Sequence, residues 1–126
     1  MLADDDADDR VIIQDAMELL KAEHVLCFAK NGEEALRILR SDFDPANQPA
    51  LIILDLNMPK LNGTETLRHL KNDDRFRAIP VIIFSTSINP LEKEKCMSLG
   101  AHSYITKPIS FQESMDTAKA FLQFCS

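Results

Sequence analysis

The sequence predicts an α/β domain built on an open parallel sheet. Short apolar runs recur along the 126-residue chain, and helical patterns with start signals lie between them. The runs are continuous rather than alternating, which indicates strands buried on both faces of the sheet. Alternation of such strands with helices is typical of a parallel sheet with right-handed crossovers.

Four apolar runs predict strands beyond the N-terminus. They are "VLCFA" (25–29), "ALIIL" (50–54), "VIIF" (81–84) and the weaker edge candidate "SYIT" (103–106). A further strand should precede the first helix, but only Met1, Leu2 and Ala3 stand before the first aspartate. We therefore expect a very short central strand, or a sequence that starts a few residues late.

Capping signals predict five helices between and after these runs. The predicted starts are Asp6 with Asp9 at the third helical position, Asn31 with Glu34, Thr64, Asn89-Pro90 with Glu92, and Ser110 with Glu113. Gly100 is placed to end the fourth helix. The expected buried faces are Ile12, Ala16, Leu19 and Leu20 in the first helix, and Phe111, Met115, Ala118 and Leu122 in the fifth.

Composition and charge limit the function classes. The formal net charge of −6 argues against a nucleic-acid or anionic-membrane partner, since both require a basic surface. The acidic N-terminus does not resemble a signal peptide, and no apolar run has the length of a membrane span. The three cysteines form no C-x-x-C pattern and show no ligand spacing with the three histidines, which argues against zinc. We expect a cytoplasmic protein with free thiols.

Chemically active side chains follow the predicted strands. Asp4 and Asp5 follow the N-terminal stub, Asp55 follows "ALIIL", Ser85 follows "VIIF", and Lys107 follows "SYIT". Because the carboxyl ends of parallel strands meet at one edge of a sheet, these groups should lie together there. Carboxylates with carbonyl and water oxygens suit Mg²⁺. A carboxylate can also act as a nucleophile towards phosphorus, with a lysine paired to a phosphoryl oxygen. The pattern therefore predicts metal-assisted phosphoryl transfer.

The remaining N-terminal charges have a simpler interpretation. Asp6, Asp8 and Asp9 are interpreted as helix-capping residues whose negative charge is favourable at a helix N-terminus. Arg10 is interpreted as a support for the acidic loop. A solvated acidic tail would explain Asp4 and Asp5 if they stood alone, but the convergence with Asp55, Ser85 and Lys107 favours a site.

Four segments resemble the signature segments of the response-regulator receiver domain of two-component signalling. They are "ADDDADDR", "LIILDLNMPKLNG", "IPVIIFSTS" and "GAHSYITKP", in the family's order and across nearly the whole chain. The resemblance implies a flavodoxin-like, doubly wound five-stranded parallel sheet of order 2-1-3-4-5 with five helices. Within the family, the chain is most similar to stand-alone regulators of phytochrome-type histidine kinases.

The resemblance implies roles for the residues at the strand ends. Asp55 corresponds to the phospho-acceptor and is expected to bind Mg²⁺ together with Asp5 and the backbone carbonyl of Asn57. Asp4 is expected to act on the cation through water. Lys107 corresponds to the lysine that pairs with the phosphoryl group.

The resemblance also implies a switch. Ser85 corresponds to the switch hydroxyl and Tyr104 to the aromatic switch position. The bond between Lys107 and Pro108 is expected to be cis. Movement of Ser85 towards a phosphoryl group would let Tyr104 turn inward and change the surface of the fourth helix, fifth strand and fifth helix.

The expected organisation is a single receiver domain over residues 1–126 with no output domain. Its partners would be a sensor histidine kinase, with the phytochrome type as one option, or a histidine phosphotransfer protein, and a downstream protein. Dimerisation through the fourth and fifth helices stays open. The chain would catalyse its own phosphorylation and dephosphorylation but turn over no external substrate.

Three rival functions remain to be compared with this one. A degenerate receiver acting as a phosphorylation-independent binding module is the main alternative, although Asp5, Asp55 and Lys107 are all present. An aspartate-nucleophile phosphatase needs an acid where Asn57 stands. A flavin protein of the same topology needs a phosphate-binding loop, and the three glycines do not cluster after a strand.

Overall fold

The fold consists of five strands that alternate with five helices. A computed structural model describes residues 1–22, 26–42, 48–86 and 89–125. The strands are β1 (Leu2–Ala3), β2 (Phe28–Ala29), β3 (Ile52–Asp55), β4 (Val81–Ser85) and β5 (Ser103–Thr106). The helices are α1 (Ala7–Leu19), α2 (Gly32–Asp42), α3 (Gly63–Lys71), α4 (Pro90–Ser98) and α5 (Phe111–Leu122), and a 3₁₀ turn (Gln123–Cys125) follows α5.

The strands form one parallel sheet in the order β2-β1-β3-β4-β5, which confirms the predicted fold class. The central strand β1 is short, as expected, but its backbone hydrogen bonds extend one residue beyond each end. The Ile53 amide donates to the Met1 carbonyl at 2.8 Å, and the Asp4 amide donates to the Ala29 carbonyl at 3.0 Å. The second of these bonds fixes Asp4 at the carboxyl edge of the sheet. Val25, at the start of the predicted second strand, lies outside the described residues.

Side-chain caps confirm four of the five predicted helix starts, whereas the third helix begins at Gly63, one residue before the predicted Thr64. The side chains of Asp6, Asn31, Asn89 and Ser110 each accept a hydrogen bond from a backbone amide in the first turn of the helix that follows. Helix α3 is capped by Asn62, whose side chain accepts from the Glu65 amide at 2.9 Å. Helix α4 is followed by Gly100, whose φ of 105° lies in the left-handed region that favours glycine.

Apolar side chains cover both faces of the sheet, as continuous apolar strands predict. Ile52, Leu54 and Ile83 belong to a core cluster that also contains residues of α2, α3 and α4. Ile53 and Phe84 belong to a second cluster with residues of α1 and α5. Alternate residues of β3 and β4 therefore face opposite layers of helices, and the strands are buried on both sides.

The expected buried faces of α1 and α5 are partly wrong. In α1 the buried residues are Ile13, Ala16 and Met17, whereas Ile12 is 39% and Leu19 is 61% exposed. The sequence carries Val11, Ile12 and Ile13 in a row, so two neighbouring helical stripes fit the apolar pattern, and packing against the sheet selects the one through Ile13. In α5, Phe111 is exposed and Phe121 is buried instead.

None of the described helices combines the length and the apolarity that crossing a membrane requires.

The corrected face of α1 predicts unequal effects of two neighbouring substitutions. Ile13→Ala should lower the free energy of unfolding by about 2–4 kcal/mol, because the wild-type side chain is fully buried. Ile12→Ala should cost less than about 1 kcal/mol, since that side chain is already partly in water. Urea denaturation of both variants measures the difference. Similar losses of unfolding free energy in Ile12→Ala and Ile13→Ala would contradict the corrected face and support the face predicted from the sequence.

Candidate functional site

The carboxyl edge of the sheet brings the predicted polar residues together. Asp4 directly follows β1, Asp55 ends β3, Ser85 ends β4, and Lys107 directly follows β5. Asp4, Asp55, Ser85 and Lys107 are all buried, whereas Asp5 is exposed. Parallel strands impose this arrangement, because side chains at equivalent strand ends emerge at the same edge.

Three carboxylates form a cluster that fits a divalent cation. One carboxylate oxygen each of Asp4, Asp5 and Asp55 can be chosen so that all three lie within 4.8 Å of one another. Asp4 Oδ2 is buried and accepts no hydrogen bond from the part of the chain that the structure describes. The Lys107 ammonium lies 2.9 Å from this oxygen, but one ammonium cannot neutralise all three carboxylates, so the cluster favours a further cation. An oxygen-only donor set with one solvent-facing member, Asp5, matches a hard cation that keeps water ligands.

Asp55 is held in place by its own turn and by α3. The Asn57 amide lies 3.4 Å from Asp55 Oδ1, and the Gly63 amide donates to the Leu56 carbonyl at 3.0 Å. A Cβ atom at position 63 would lie 2.3 Å from the Asp55 carbonyl oxygen, so only glycine allows α3 to start this close to β3. Asn57 is exposed beside the acidic cluster. A role of its carbonyl as a metal ligand stays a prediction.

Lys107 supplies the positive charge of the site. Its Nζ lies 2.6 Å from Asp9 Oδ2, 2.9 Å from Asp4 Oδ2 and 3.4 Å from Asp55 Oδ2. The contact with Asp9 is a hydrogen bond. The contact with Asp4 is an ion pair at an angle outside hydrogen-bonding geometry, since Asp4 Oδ2 accepts no such bond. One ammonium group is thus shared by three carboxylates.

Asp9 is the site residue that the sequence reasoning missed. Its carboxylate was assigned to the favourable end of the helix dipole, and it does lie in the first turn of α1. The sequence does contain one signal for a place in the site. Asp9 lies close in sequence to Asp4 and Asp5, and the first turn of α1 starts next to the strand end that carries these two residues. The sequence alone did not show that this turn faces the end of β5.

The other acidic-loop residues behave as predicted. The side chain of Asp6 caps α1 by accepting from the Asp8 amide at 2.9 Å. Arg10 Nη1 donates to the Asp4 carbonyl at 2.5 Å, so Arg10 supports the loop.

The pKa values of the two central groups are both raised, for different reasons. Burial and the neighbouring Asp4 charge raise the pKa of Asp55 to about 7, although Lys107 and the Asn57 amide oppose the shift. Burial alone would lower the pKa of Lys107. The contacts with Asp9 and Asp4 and the charge of Asp55 outweigh burial, so the pKa of Lys107 is raised and the ammonium stays charged.

Ser85 and Tyr104 lie on the neighbouring strands β4 and β5. The Ser85 carbonyl accepts a hydrogen bond from the Lys107 amide at 2.6 Å, which ties the start of the Lys107 segment to the end of β4. Tyr104 is half-buried on β5, opposite Ile83 of β4, and packs against the core cluster on the α2–α4 side of the sheet. Their roles in switching stay predictions.

The expected cis bond between Lys107 and Pro108 is not found. Every peptide bond among the described residues is trans, including this one. The trans isomer of a bond before proline is intrinsically favoured by about 0.5–1 kcal/mol. In the structure, the trans form is compatible with the hydrogen bond between the Lys107 amide and Ser85.

Comparison with known proteins identifies the family. The sequence profile of the response regulator receiver domain matches residues 1–119, and the chain belongs to this family. It is 31% identical over 122 residues to the polar-differentiation response regulator DivK of Brucella anthropi, covering 97% of this chain and 94% of DivK.

Solved structures of response regulators are also similar. The phosphorylated cyanobacterial phytochrome response regulator RcpA is 34% identical with a TM-score of 0.84, covering 98% of this chain and 89% of RcpA. The Mn²⁺-bound form of response regulator Rcp1 is 26% identical with a TM-score of 0.80, covering 98% of this chain and 91% of Rcp1. The resemblance to phytochrome response regulators is thereby confirmed.

The raised pKa of Asp55 predicts a pH-dependent cost of folding without metal. The folded-state pKa of about 7 exceeds the ordinary value of 3.8, so ionising Asp55 destabilises the fold increasingly as the pH rises from about 4 to above 7. Asp55→Asn removes this cost. In EDTA, the melting temperature of Asp55→Asn relative to wild type should therefore rise from pH 5 to pH 8. A difference in melting temperature that stays constant between pH 5 and pH 8 would contradict the ionisation of Asp55 as its cause.

The position of Asp5 in the acidic cluster predicts that metal affinity depends on Asp5 more than on its neighbour Asp6. Asp5→Asn should weaken Mg²⁺ binding at least about tenfold, because a cation site loses a charged oxygen ligand. Asp6→Asn is the matched control, since asparagine can still cap α1 and Asp6 lies outside the acidic cluster. Isothermal titration calorimetry measures both affinities. Equal losses of Mg²⁺ affinity in Asp5→Asn and Asp6→Asn would indicate a general effect of negative charge rather than a ligand role of Asp5.

Proposed function

We propose that this receiver domain accepts a phosphoryl group on Asp55 from the phosphohistidine of a histidine kinase or histidine phosphotransfer protein. The observation that carries the proposal is the position of the Asp55 carboxylate beside two kinds of group. It belongs to the acidic cluster with Asp4 and Asp5, and its Oδ2 lies 3.4 Å from the Lys107 ammonium. A nucleophilic carboxylate beside a metal site and a cation is the arrangement that phosphoryl transfer to an aspartate requires.

The proposed transfer is a direct displacement at phosphorus. A carboxylate oxygen of Asp55 forms the new bond to phosphorus while the bond from phosphorus to the donor's imidazole nitrogen breaks. The other ring nitrogen of the donor carries a proton, so the departing nitrogen keeps the electron pair of the broken bond and the ring leaves as neutral imidazole. The product is an acyl phosphate on Asp55, whose extra negative charge the Lys107 ammonium can neutralise.

Mg²⁺ is the proposed cation. Asp5, Asp55 and the backbone carbonyl of Asn57 would hold it directly, with Asp4 acting through water. Such a cation, when bound, offsets the repulsion between the carboxylates and the incoming phosphoryl group. Support comes from the oxygen-only donor set and from the similar Rcp1, which has been solved with Mn²⁺, another divalent cation with a preference for oxygen ligands.

The surface beside the site suits a protein donor. Exposed apolar residues on α1 and at the start of α5 border a groove of about 550 Å³ that also includes Pro108: Ile12, Leu19, Ile109 and Phe111. Exposed apolar groups gathered in one place commonly mark protein–protein contacts. The similarity to RcpA favours a phytochrome-type kinase as the donor.

The proposed output is a change of surface around α4, β5 and α5. The phosphoryl group would attract the Ser85 hydroxyl and let Tyr104 repack, which shifts the population between two packings. The half-buried position of Tyr104 against the α2–α4 core cluster supports this proposal, because a ring there can exchange between core and surface.

Intact mass spectrometry tests the proposed function. Wild-type protein incubated with acetyl phosphate and Mg²⁺ should gain one phosphoryl group, and Asp55→Asn should gain none. Omission of Mg²⁺ should prevent the gain in the wild type. Persistent labelling of Asp55→Asn would contradict the acceptor. Absence of labelling in folded, Mg²⁺-replete wild type would favour the phosphorylation-independent binding module.

A further inference from the structure

The ammonium group of Lys107 is bound most closely by a carboxylate that is not the proposed acceptor. Lys107 Nζ donates a hydrogen bond to Asp9 Oδ2 at 2.6 Å, whereas Asp55 Oδ2 lies 3.4 Å away. Charge-assisted hydrogen bonds of this length are among the stronger polar contacts in proteins. Asp9 also lies outside the cluster of Asp4, Asp5 and Asp55 that fits a cation.

The environment makes this ion pair stronger than a surface pair. The Lys107 side chain is only 8% exposed and that of Asp9 is 23% exposed, so both are largely withdrawn from water. Screening by solvent and salt is therefore weaker than for the exposed pairs Arg68–Glu65 and Arg77–Asp74. The contact also joins α1 to the segment after β5, which are 98 residues apart in sequence.

Asp9 and Asp4 differ in how easily they can release Lys107. Asp4 is fully buried, its Oδ1 accepts from the Asp6 amide at 2.9 Å, and its backbone carbonyl accepts from Arg10. Loss of Lys107 would leave buried charge on Asp4 without compensation. Asp9 is partly exposed on α1 and can exchange Lys107 for water at lower cost.

We propose that Asp9 is a positioning residue that restrains Lys107 in the unphosphorylated site and competes with the phosphoryl group on Asp55 for the same ammonium. The proposal rests on the proposed function, because it assumes that Lys107 pairs with that phosphoryl group. Asp9 and the phosphoryl group would bind the same ammonium, so their interactions with Lys107 are linked thermodynamically. A stronger contact with Asp9 must weaken binding of a phosphoryl group at Asp55, and its removal must strengthen that binding.

Equilibrium binding of a phosphoryl mimic tests this competition. Trifluoroberyllate at saturating Mg²⁺ is titrated into the wild type and its variants, and ¹⁹F NMR measures the bound fraction. Asp9→Asn should bind the mimic about three- to tenfold more tightly, the effect expected from loss of one partly shielded competing ion pair. Asp8→Asn is the matched control, because it removes the same charge from an exposed position in the same helical turn. It should stay within about twofold of wild type.

Two further variants distinguish restraint of Lys107 by Asp9 from a general effect of negative charge near the site. Asp9→Glu keeps the carboxylate and should bind the mimic like the wild type. In a Lys107→Gln background, Asp9→Asn should change the affinity by less than about twofold, because the competition acts through Lys107. Thermal melts confirm that each variant is folded.

The possible results distinguish this proposal from the proposed function. Weaker or unchanged binding by Asp9→Asn, an equal gain in Asp8→Asn, or a gain that persists in Lys107→Gln would overturn the restraint while leaving Asp55 as the acceptor. If folded wild type with bound Mg²⁺ takes up neither the mimic nor a phosphoryl group, the proposed function and the restraint are both rejected.

Discussion

Burial of like charge at one edge of the sheet is the constraint on which the rest of the site depends. Asp4 is 0% exposed and Asp55 is 5% exposed, and both are in contact with Lys107. Two buried carboxylates repel each other and lose hydration, so an ammonium group between them is needed to keep the edge folded without metal. The backbone hydrogen bonds that fix Asp4 to β2 and Lys107 to β4 hold the opposite charges in register.

The convergence of site residues could be predicted because topology determines it. Once short, continuous apolar runs indicate a parallel sheet, the residues that follow the strands must meet at one edge, and Asp4, Asp55, Ser85 and Lys107 do so. Asp9 could not be assigned in the same way. An acid in the first turn of a helix is already explained by the helix dipole, and its contact with Lys107 depends on how α1 packs beside β5.

Two further errors, the buried face of α1 and the isomer of the bond before Pro108, concern choices that local sequence leaves nearly balanced. Three consecutive apolar residues in α1 allow two overlapping buried stripes, and the packing of α1 against the sheet and α5 decides between Ile12 and Ile13. The bond before Pro108 has two isomers that differ intrinsically by only about 0.5–1 kcal/mol, so the surrounding structure decides between them. In both cases tertiary contacts outweigh a weak local preference, and reasoning from sequence or resemblance is least secure there.

The same repulsion that costs stability makes the site responsive. Burial and the Asp4 charge raise the pKa of Asp55 to about 7, so the metal-free site holds an ionised nucleophile only at a cost in folding free energy. A divalent cation bound there would recover that cost and thereby stabilise the fold. Lys107 is already engaged by three carboxylates, so the proposed phosphoryl group on Asp55 would have to compete for this ammonium. Under the proposed function, the affinities of Lys107 for these competing partners would then set how far phosphorylation shifts the surrounding structure.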